Sequence, residues 1–332
     1  MAKVNLIFRS KKRKEYSIEN VFESLIPYLR KGGFSIECSY LPNERYNTIK
    51  DILGNIFYLK KIEGDLYHIT GEVNFIVPYL KRGKTILTIH DFVRLEQIAG
   101  VRRHLYKFFF LDKPIKNATA ITCISQKTKD EIEQLFPNVK NAIVIPDPYN
   151  NIYKFCEKEF NEECPQILVV GTRDNKNVER IIQACSGVEC RLLIIGKLNE
   201  KQLALLDKER IKYTNKKNLT NKEVYECYVQ ADMLCFPSLY EGFGMPIIEA
   251  QATGRVVITS NIRPMSDVAG EGAFFVNPYS VDEIRNAIVS LSSNKKMREK
   301  LIDNGLKNCL DYTSEKIAHS YCELYASLLK KG

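Results

Sequence analysis

The sequence lacks several features that would assign it to a class of protein at once. It has no apolar run of about 18 residues, the length a membrane-spanning helix needs. Its ten cysteines stand singly without a Cys-x-x-Cys pair, and its four histidines are too dispersed for a zinc module. We therefore expect reduced, mostly buried cysteines and no metal site. The chain also has no tryptophan, so the best stacking platform for a sugar ring is absent.

The start of the chain and its length bound the organisation. The first residues, MAKVNLIFRSKKRK, do not show the order of regions of a secretory signal peptide, so we expect a cytoplasmic protein. At 332 residues, with 45% apolar and 27% charged residues, the chain is long for a single hydrophobic core. Two globular domains are the natural expectation.

The positive charge is concentrated in the first half. Residues 1–150 hold 24 Lys and Arg against 16 Asp and Glu, whereas the remainder holds 25 against 24. This asymmetry favours an anionic partner for the first half, either a membrane surface or a phosphorylated substrate, with ordinary solubility as the alternative. The stretch Arg94–Leu111 is predicted to be helical and mixes bases with aromatic residues. It could rest on anionic lipid, or it could be an ordinary helix with its Phe residues in the core and its bases in solvent.

Strand and helix patterns alternate along the whole chain, which is typical of parallel α/β sheets. The strand patterns lie at Val4–Phe8, Phe34–Leu41, Asp65–Thr70, Lys84–Ile89, Ala120–Ile124, Ala142–Ile145, Gln166–Val170, Arg191–Ile195, Met233–Pro237 and Val256–Thr259. A polar stretch near residues 150–165 reads as a linker. We therefore predict domains over 1–150 and 151–312, and a C-terminal helix over 313–332 for which packing back toward the first domain is one arrangement.

The first strand and helix are not joined by a nucleotide fingerprint. A dinucleotide-binding fold would show G-x-G-x-x-G there, but Lys11-Lys12-Arg13-Lys14 occupies this position. The run could bind a lipid diphosphate carrier, or it could be a charged surface loop.

The stretch Ser238–Gly254, SLYEGFGMPIIEAQATG, carries the clearest chemistry. A buried strand precedes it, and Pro246 suits the first turn of a helix that Gly254 would end. Glu249 then lies one turn inside the helix, and Glu241 lies in the loop that faces the helix N-terminus. The glycines of this loop leave backbone amides uncovered beside a positive helix end, an arrangement that favours a polar, anionic ligand.

Three elements together resemble a known family. His90-Asp91 after a strand, GTRDNKNVERII from Gly171, and EGFGMPIIEA with its two glutamates resemble the retaining GT-B glycosyltransferases of family 4, the glycosyl transferases group 1. The resemblance spans nearly the whole chain. It implies two Rossmann-like domains that face an interdomain cleft, and transfer of a sugar from a nucleoside diphosphate with retention and without a metal. The absence of an Asp-x-Asp motif agrees, and no cofactor is expected besides the nucleotide sugar as co-substrate.

The resemblance also implies roles for single residues. Departure of the diphosphate builds negative charge, which Lys176 and Arg173 would stabilise. Glu249 would accept hydrogen bonds from both ribose hydroxyls, while Glu241 would lie beside the transferred sugar, and His90 would reach the sugar or acceptor. The expected catalytic residues are Glu241, Lys176, Arg173 and His90. The expected donor-binding residues are Gly171, Thr172, Phe243, Gly244, Met245, Pro246 and Glu249, although Thr172 stands where the family usually has an arginine.

The expected activity is a retaining hexosyltransferase that acts on a glycan or lipid-linked oligosaccharide in cell-surface polysaccharide synthesis, with membrane association as an option. On the acceptor side we expect Lys11, Lys12, Arg13 and Asp91. One alternative is a glycoside hydrolase that uses Glu241 and Glu249, but hydrolysis needs neither Lys176 nor a phosphate-ready helix end. Another is a non-catalytic polyanion or nucleic-acid binder, for which the sequence holds no recognised motif, so no nucleic-acid partner is expected.

Overall fold

The computed structural model describes residues 1–12, 17–44, 48–80, 84–139 and 142–330, and the chain divides into two compact units. The first unit comprises Met1–Pro148 together with Ser314–Gly332, and the second comprises Tyr149–Thr313. The boundaries predicted at 150 and 312 lie within two residues of these positions.

The first unit is built on a six-stranded parallel sheet in the order β2-β1-β3-β4-β5-β6. Its strands are β1 (Lys3–Phe8), β2 (Ser35–Tyr40), β3 (Leu66–Ile69), β4 (Lys84–Ile89), β5 (Ala120–Cys123) and β6 (Ile143–Val144). Its helices are α1 (Ser17–Lys31), α2 (Ile49–Tyr58), α3 (Val93–Glu96), α4 (Gly100–Lys107), α5 (Lys113–Asn117), α6 (Gln126–Leu135) and, from the end of the chain, α14 (Ser314–Lys330). Short 3-10 turns lie at Leu59–Lys61 and Asn74–Tyr79, and a π turn at Phe108–Asp112 joins α4 to α5.

The pleat of β1 divides the first unit into two hydrophobic cores. Leu6 and Phe8 point into the core that α1 and α14 cover, whereas Ile7 between them points into the opposite core. Because successive strand side chains alternate between faces, one buried strand contributes to both cores. The helix α14 therefore belongs to the hydrophobic layer of the first unit, although it follows the second unit in the chain.

A buried histidine joins the first sheet to α14. His68 on β3 is fully buried, its Nδ1 lies 2.7 Å from the hydroxyl of Tyr325 on α14, and its Nε2 lies 2.7 Å from Oγ1 of Thr88. Burial, with a smaller contribution from His90, lowers the pKa of His68 to about 3. His68 is therefore a neutral structural residue.

This histidine predicts an acid dependence of stability. Between the ordinary pKa of 6.5 and the folded value of about 3, the unfolded chain binds a proton at His68 that the folded chain does not. As far as His68 is concerned, the free energy of unfolding is therefore highest above pH 6.5 and falls as the pH drops toward 3. We expect the free energy of unfolding to fall by roughly 2–3 kcal/mol more in the wild type than in His68→Gln between pH 7 and 4.5. Urea denaturation of both proteins at both pH values measures this decrease. An equal decrease in the wild type and in His68→Gln would contradict the prediction.

The second unit contains a six-stranded parallel sheet in the order β12-β11-β10-β7-β8-β9. Its strands are β7 (Gln166–Val170), β8 (Arg191–Ile195), β9 (Lys212–Lys216), β10 (Met233–Phe236), β11 (Val256–Ser260) and β12 (Phe274–Val276). Its helices are α7 (Val178–Cys185), α8 (Glu200–Lys208), α9 (Asn221–Gln230), α10 (Met245–Thr253), α11 (Met265–Ala269), α12 (Val281–Ser293) and α13 (Lys295–Cys309). Turns of 3-10 type occur at Asp174–Lys176 and Leu310–Tyr312.

The predicted pair of parallel α/β sheets is confirmed, but some elements differ. The stretch predicted as one helix from Arg94 to Leu111 is interrupted, because α3 ends at Glu96 and α4 starts at Gly100, whose φ of 61° is not helical. The edge strands β9 and β12 were missed, since β9 is largely exposed and β12 has only three residues. Along the described part of the chain, no helix combines the length and apolar character needed to cross a membrane.

Candidate functional site

The stretch between β10 and α10 folds as predicted. Every residue of β10 is buried, and α10 begins at Met245 after Gly244, whose φ of 117° favours glycine. A Cβ at Gly244 would lie only 3.1 Å from the Cδ1 of Ile247. Pro246 lies in the first turn, and Gly254 ends the helix with a left-handed φ of 78°. The N-terminus of this nine-residue helix therefore faces the loop that carries Glu241.

Glu241 and Lys176 form an ion pair at this helix end. The Lys176 Nζ lies 2.6 Å from Glu241 Oε1, and the two side chains are only 18% and 14% exposed. Asn175 donates to the same carboxylate oxygen at 3.2 Å and to the Tyr240 carbonyl at 2.9 Å. The loop after β7 is thus fixed against the loop after β10, with one cation and one carboxylate in the contact.

The course of the Lys176 side chain depends on a glycine. Gly171 directly follows β7 and has a φ of 87°, and a Cβ there would lie 3.0 Å from the Lys176 Cε. The Lys176 Nζ also lies 4.6 Å from the centre of the Phe236 ring. The aliphatic part of Lys176 therefore runs over Gly171, and the ammonium group is held between an aromatic face and Glu241.

Asn177, which follows Lys176 in the GTRDNKNVERII stretch, fixes the turn that positions Lys176. It has a left-handed φ of 61°, a conformation that asparagine tolerates better than most residues. Its side chain is buried and its Nδ2 donates to the carbonyls of Pro237 at 2.9 Å and Pro278 at 2.6 Å. The turn that positions Lys176 is consequently anchored to two other loops at the carboxyl edge of the sheet.

Thr172 and Arg173, the other predicted residues of the GTRDNKNVERII stretch, differ in their surroundings. The Thr172 hydroxyl donates to the Lys197 carbonyl at 2.7 Å. A Cβ at Gly196 would lie 2.8 Å from the Thr172 Oγ1. The hydroxyl of Thr172 therefore closes the β7 loop onto the β8 loop. Arg173 is exposed, and its carbonyl accepts the Lys176 backbone N–H at 2.8 Å.

Two tyrosines hold Glu249. The Tyr228 hydroxyl donates to Glu249 Oε2 at 2.7 Å, and the hydroxyl of Tyr153 also hydrogen-bonds this carboxylate. Both tyrosines are buried, with ring centres 5.4 Å apart in an edge-to-face arrangement. Burial raises the pKa of Glu249, against lowering contributions from Tyr228, Tyr153 and Lys176. The sequence analysis missed both tyrosines, and Tyr153 comes from the stretch read as a linker.

The remaining residues of the α10 loop contribute mainly backbone. The Phe243 ring is buried and lies 5.7 Å from the ring of Tyr312, so its side chain points into the protein. Met245 and Pro246 are partly exposed in the first helical turn. The second unit therefore brings Lys176, Glu241 and the α10 N-terminus together, and the same helix carries Glu249.

His90 and Asp91 follow β4 in the first unit. The His90 Nε2–H donates to the Thr70 carbonyl at 2.7 Å, and Nδ1 lies 3.6 Å from the Asp147 carboxylate. Burial lowers the pKa of His90, but Asp147, Thr70 and Asp91 together raise it above its ordinary value. Asp91 is exposed and accepts the Val93 N–H at 3.0 Å. His90 is therefore held by protein groups at both ring nitrogens.

The predicted basic run is only partly described. The Lys11 Nζ lies 4.1 Å from the centre of the Tyr40 ring, and Lys12 is exposed. Arg13 and Lys14 lie outside the described residues. The acceptor-side role of this run stays a prediction.

Potential metal ligands are dispersed over the described part of the chain. Within the residues that the structure describes, no three His, Cys, Asp or Glu side chains are grouped so that they could hold a metal ion. None of the ten cysteines, all of which are described, forms a disulfide, and six of them are buried. The independence from metal that the resemblance implied stays a prediction.

Comparison with known proteins places this site in context. The family profile described as "Glycosyl transferases group 1" matches residues 154–308. The serotype-specific mannosyltransferase WbdA of Escherichia coli is 24% identical over 281 residues, which are 75% of this chain but 34% of that protein. The O-antigen chain mannosyltransferase RfbU of Salmonella typhimurium is 28% identical over 225 residues, covering 65% of this chain and 62% of RfbU. This chain thus spans about a third of the length of WbdA.

The solved structures include that of Anabaena HepE in complex with UDP and glucose. It superimposes with a TM-score of 0.80 at 13% sequence identity, and covers 99% of this chain and 100% of HepE. Together with the two parallel six-stranded sheets, this likeness confirms the predicted two-domain GT-B fold.

Proposed function

We propose that this chain, whose residues 154–308 belong to the glycosyl transferases group 1, moves a hexose from a nucleoside diphosphate sugar to a hydroxyl of a glycan or lipid-linked acceptor. The reaction would retain the anomeric configuration, need no metal, and serve cell-surface polysaccharide synthesis in the cytoplasm. The observation that carries the proposal is the Lys176–Glu241 pair at the α10 N-terminus, with Glu249 farther along that helix.

The geometry suits a diphosphate leaving group. Negative charge grows on the diphosphate as the bond to the sugar breaks, and a fixed ammonium group beside a helix N-terminus stabilises such charge. Lys176 meets this requirement because its side chain runs over Gly171 and beside Phe236 to this helix end, where its ammonium group pairs with Glu241. When the diphosphate binds, we expect Lys176 to turn from Glu241 toward the phosphate oxygens, leaving the carboxylate of Glu241 to accept a hydrogen bond from a sugar hydroxyl.

Glu249 suits the ribose. A carboxylate can accept about four hydrogen bonds, and two of these are taken by Tyr228 and Tyr153. The remaining capacity matches the two vicinal hydroxyls of a ribose. Arg173 would add positive charge at the phosphates, and His90 would contact the sugar or the acceptor.

The similar proteins support the class of donor and acceptor. HepE was solved with UDP and glucose, which supports a nucleoside diphosphate sugar as donor. WbdA and RfbU are named mannosyltransferases, and RfbU acts on an O-antigen chain, so mannose is the first sugar to test. A lipid-linked acceptor would be met at an anionic membrane surface through the basic first unit.

A donor panel tests the proposal. Purified protein is incubated in EDTA with UDP-, GDP- and ADP-hexoses, and release of the nucleoside diphosphate is followed with and without glycan acceptors. We expect one donor to be consumed without metal, and proton NMR of the product to show the anomeric configuration of the donor. Consumption of no donor, or of a donor only with a divalent cation, would contradict the proposal. Cleavage of a glycan without a nucleotide would favour the hydrolase instead.

The tyrosine contacts predict a change in donor affinity. Replacing Tyr228 by Phe removes the 2.7 Å hydrogen bond to Glu249, so we expect donor affinity to fall about tenfold with little change in kcat. The pKa of Glu249 should rise further, because this hydrogen bond lowers it. The acid limb of donor binding should therefore move to higher pH. Tyr225→Phe is the matched control, because the Tyr225 hydroxyl donates to the Lys154 carbonyl. The same acid limb in both variants would show that Tyr228 has only a structural role.

A further inference from the structure

The helix α2 presents an apolar stripe to solvent. Ile49, Leu53 and Phe57 follow one another at a spacing of four residues, and their exposed fractions are 77%, 46% and 61%. The other side of α2 is fixed to the unit, since buried Asn55 accepts the Asn43 N–H at 3.0 Å and Ile52 packs on the core. These three exposed side chains, called here the α2 stripe, therefore point to solvent from an anchored helix.

A second apolar stripe lies on α4 and the π turn. Val101, Leu105, Phe108 and Phe109 are 75%, 53%, 45% and 46% exposed, and they are called here the α4 stripe. Phe110, next in sequence, stacks on Tyr106 at 4.9 Å and packs on the core. The π turn thus leaves two adjacent phenylalanines in solvent while the following residues hold the segment to the protein.

Both stripes belong to one layer of helices. The inward residues of α2 and of the α4 segment pack on the same hydrophobic core, on the face of the sheet opposite to α1 and α14. The 3-10 turn Asn74–Tyr79 contributes to the same core between them, and its Tyr79 is 48% exposed. Apolar groups that are exposed singly are ordinary, but two stripes on one layer form an apolar surface that calls for a partner.

Basic residues surround these stripes. The segments 49–61 and 100–117 together hold eight Lys and Arg against two Asp: Lys50, Lys60, Lys61, Arg102, Arg103, Lys107, Lys113 and Lys116 against Asp51 and Asp112. The Lys60 Nζ lies 5.2 Å from the Phe57 ring centre, and the Lys113 Nζ lies 4.9 Å from that of Phe108. Ammonium groups thus stand directly beside the exposed aromatic rings.

We propose that the α2 and α4 stripes form a docking surface for an anionic lipid bilayer. Apolar and aromatic side chains would enter the boundary of the acyl chains while the adjacent bases reach the phosphates, as in helices that lie in a membrane interface. A protein partner fits less well, because lysine is depleted in the core of protein interfaces and is abundant here. Only the role of the bilayer in presenting a lipid-linked acceptor rests on the proposed function.

Vesicle flotation tests the surface without donor or acceptor. The full chain is mixed with vesicles of phosphatidylcholine alone, or of phosphatidylcholine with about a third phosphatidylglycerol, at low and high salt. We expect binding to the anionic vesicles only, weakening as salt is raised, because the bases attract the surface charge within a Debye length. Absence of binding at low salt, or equal binding to both kinds of vesicle, would overturn the proposal.

Matched pairs of variants separate this surface from general effects. Val101→Ser with Leu105→Ser should weaken partitioning at least tenfold, whereas Val289→Ser with Leu310→Ser, at residues of the second unit that are 48% and 60% exposed, should leave it unchanged. Arg102→Glu with Arg103→Glu should reduce binding about fiftyfold or more at low salt, and Lys295→Glu with Lys296→Glu should have little effect. Thermal denaturation checks that all four fold.

Two further outcomes keep the alternatives apart. If light scattering gives a dimer in the wild type that Val101→Ser with Leu105→Ser makes monomeric, and vesicles do not bind, the surface joins two copies of the chain and the lipid proposal is wrong. The same variant should consume a water-soluble donor at the wild-type rate. Loss of lipid binding with normal donor turnover supports the docking surface independently of the proposed reaction.

Discussion

Replacing Lys176 by alanine is expected to lower turnover by roughly a thousandfold, because the chain loses the cation that stabilises charge on the departing diphosphate. The loss should exceed the loss of affinity for the nucleoside diphosphate, since the charge is greatest in the transition state. The measurement is kcat for donor consumption beside the dissociation constant of the nucleotide by calorimetry.

The packing of Lys176 calls for two controls. Lys176→Met keeps an aliphatic chain over Gly171 and beside Phe236 but removes the charge, so it should be almost as inactive as the alanine variant. Lys208→Ala removes a lysine that is 77% exposed on α8 and should retain full activity. If Lys176→Met kept most of its turnover, the role of the residue would be packing, and its assignment to the diphosphate would be wrong.

Replacing Glu249 by alanine is expected to weaken nucleotide binding about a hundredfold, because two hydrogen bonds from ribose hydroxyls to a carboxylate are lost. Burial raises the pKa of Glu249, so its carboxylate is protonated at a higher pH than an exposed glutamate. Nucleotide binding by the wild type should therefore fall on the acid side, beginning above the ordinary pKa of 4.5, and Glu249→Gln should lack this dependence.

A deoxynucleotide makes the ribose assignment specific. The wild type should bind the 2′-deoxy form of its preferred nucleotide at least tenfold more weakly than the ribonucleotide, since one partner of Glu249 is missing. Glu249→Ala should bind both forms equally, because the carboxylate that distinguishes them is absent. Discrimination that persists unchanged in Glu249→Ala would mean that another group contacts the ribose.

The sequence predicted the central elements well where the chain is buried. The strands at Gln166–Val170 and Arg191–Ile195 have the predicted bounds. A continuous apolar run is typical of a parallel strand that is buried on both faces of its sheet, so the ends of the run mark the ends of the strand. The helix with Pro246 in its first turn and Gly254 at its end also follows its local signals. This helix carries Glu249 and directly follows the loop that holds Glu241, so the secondary-structure position of both acids could be predicted.

Contacts made by tertiary packing could not be predicted in the same way. Nothing in the polar stretch after residue 150 distinguishes Tyr153, yet it is buried beside Tyr228 and hydrogen-bonds Glu249. The exposure of Phe108 and Phe109 could not be predicted either, because an apolar residue in a helix pattern normally indicates the core. The edge strand β9 (KYTNK) has neither apolar alternation nor burial, so only pairing with β8 defines it.

A calorimetric titration of the wild type, Lys176→Ala and Glu249→Ala with UDP, GDP and ADP in EDTA tests the donor site most directly. We expect the wild type to bind one of these nucleotides without metal and both variants to bind it more weakly, with the larger loss in Glu249→Ala. No binding of any nucleotide by the wild type, or affinity that is unchanged in Glu249→Ala, would contradict the assignment of this site to a nucleoside diphosphate sugar.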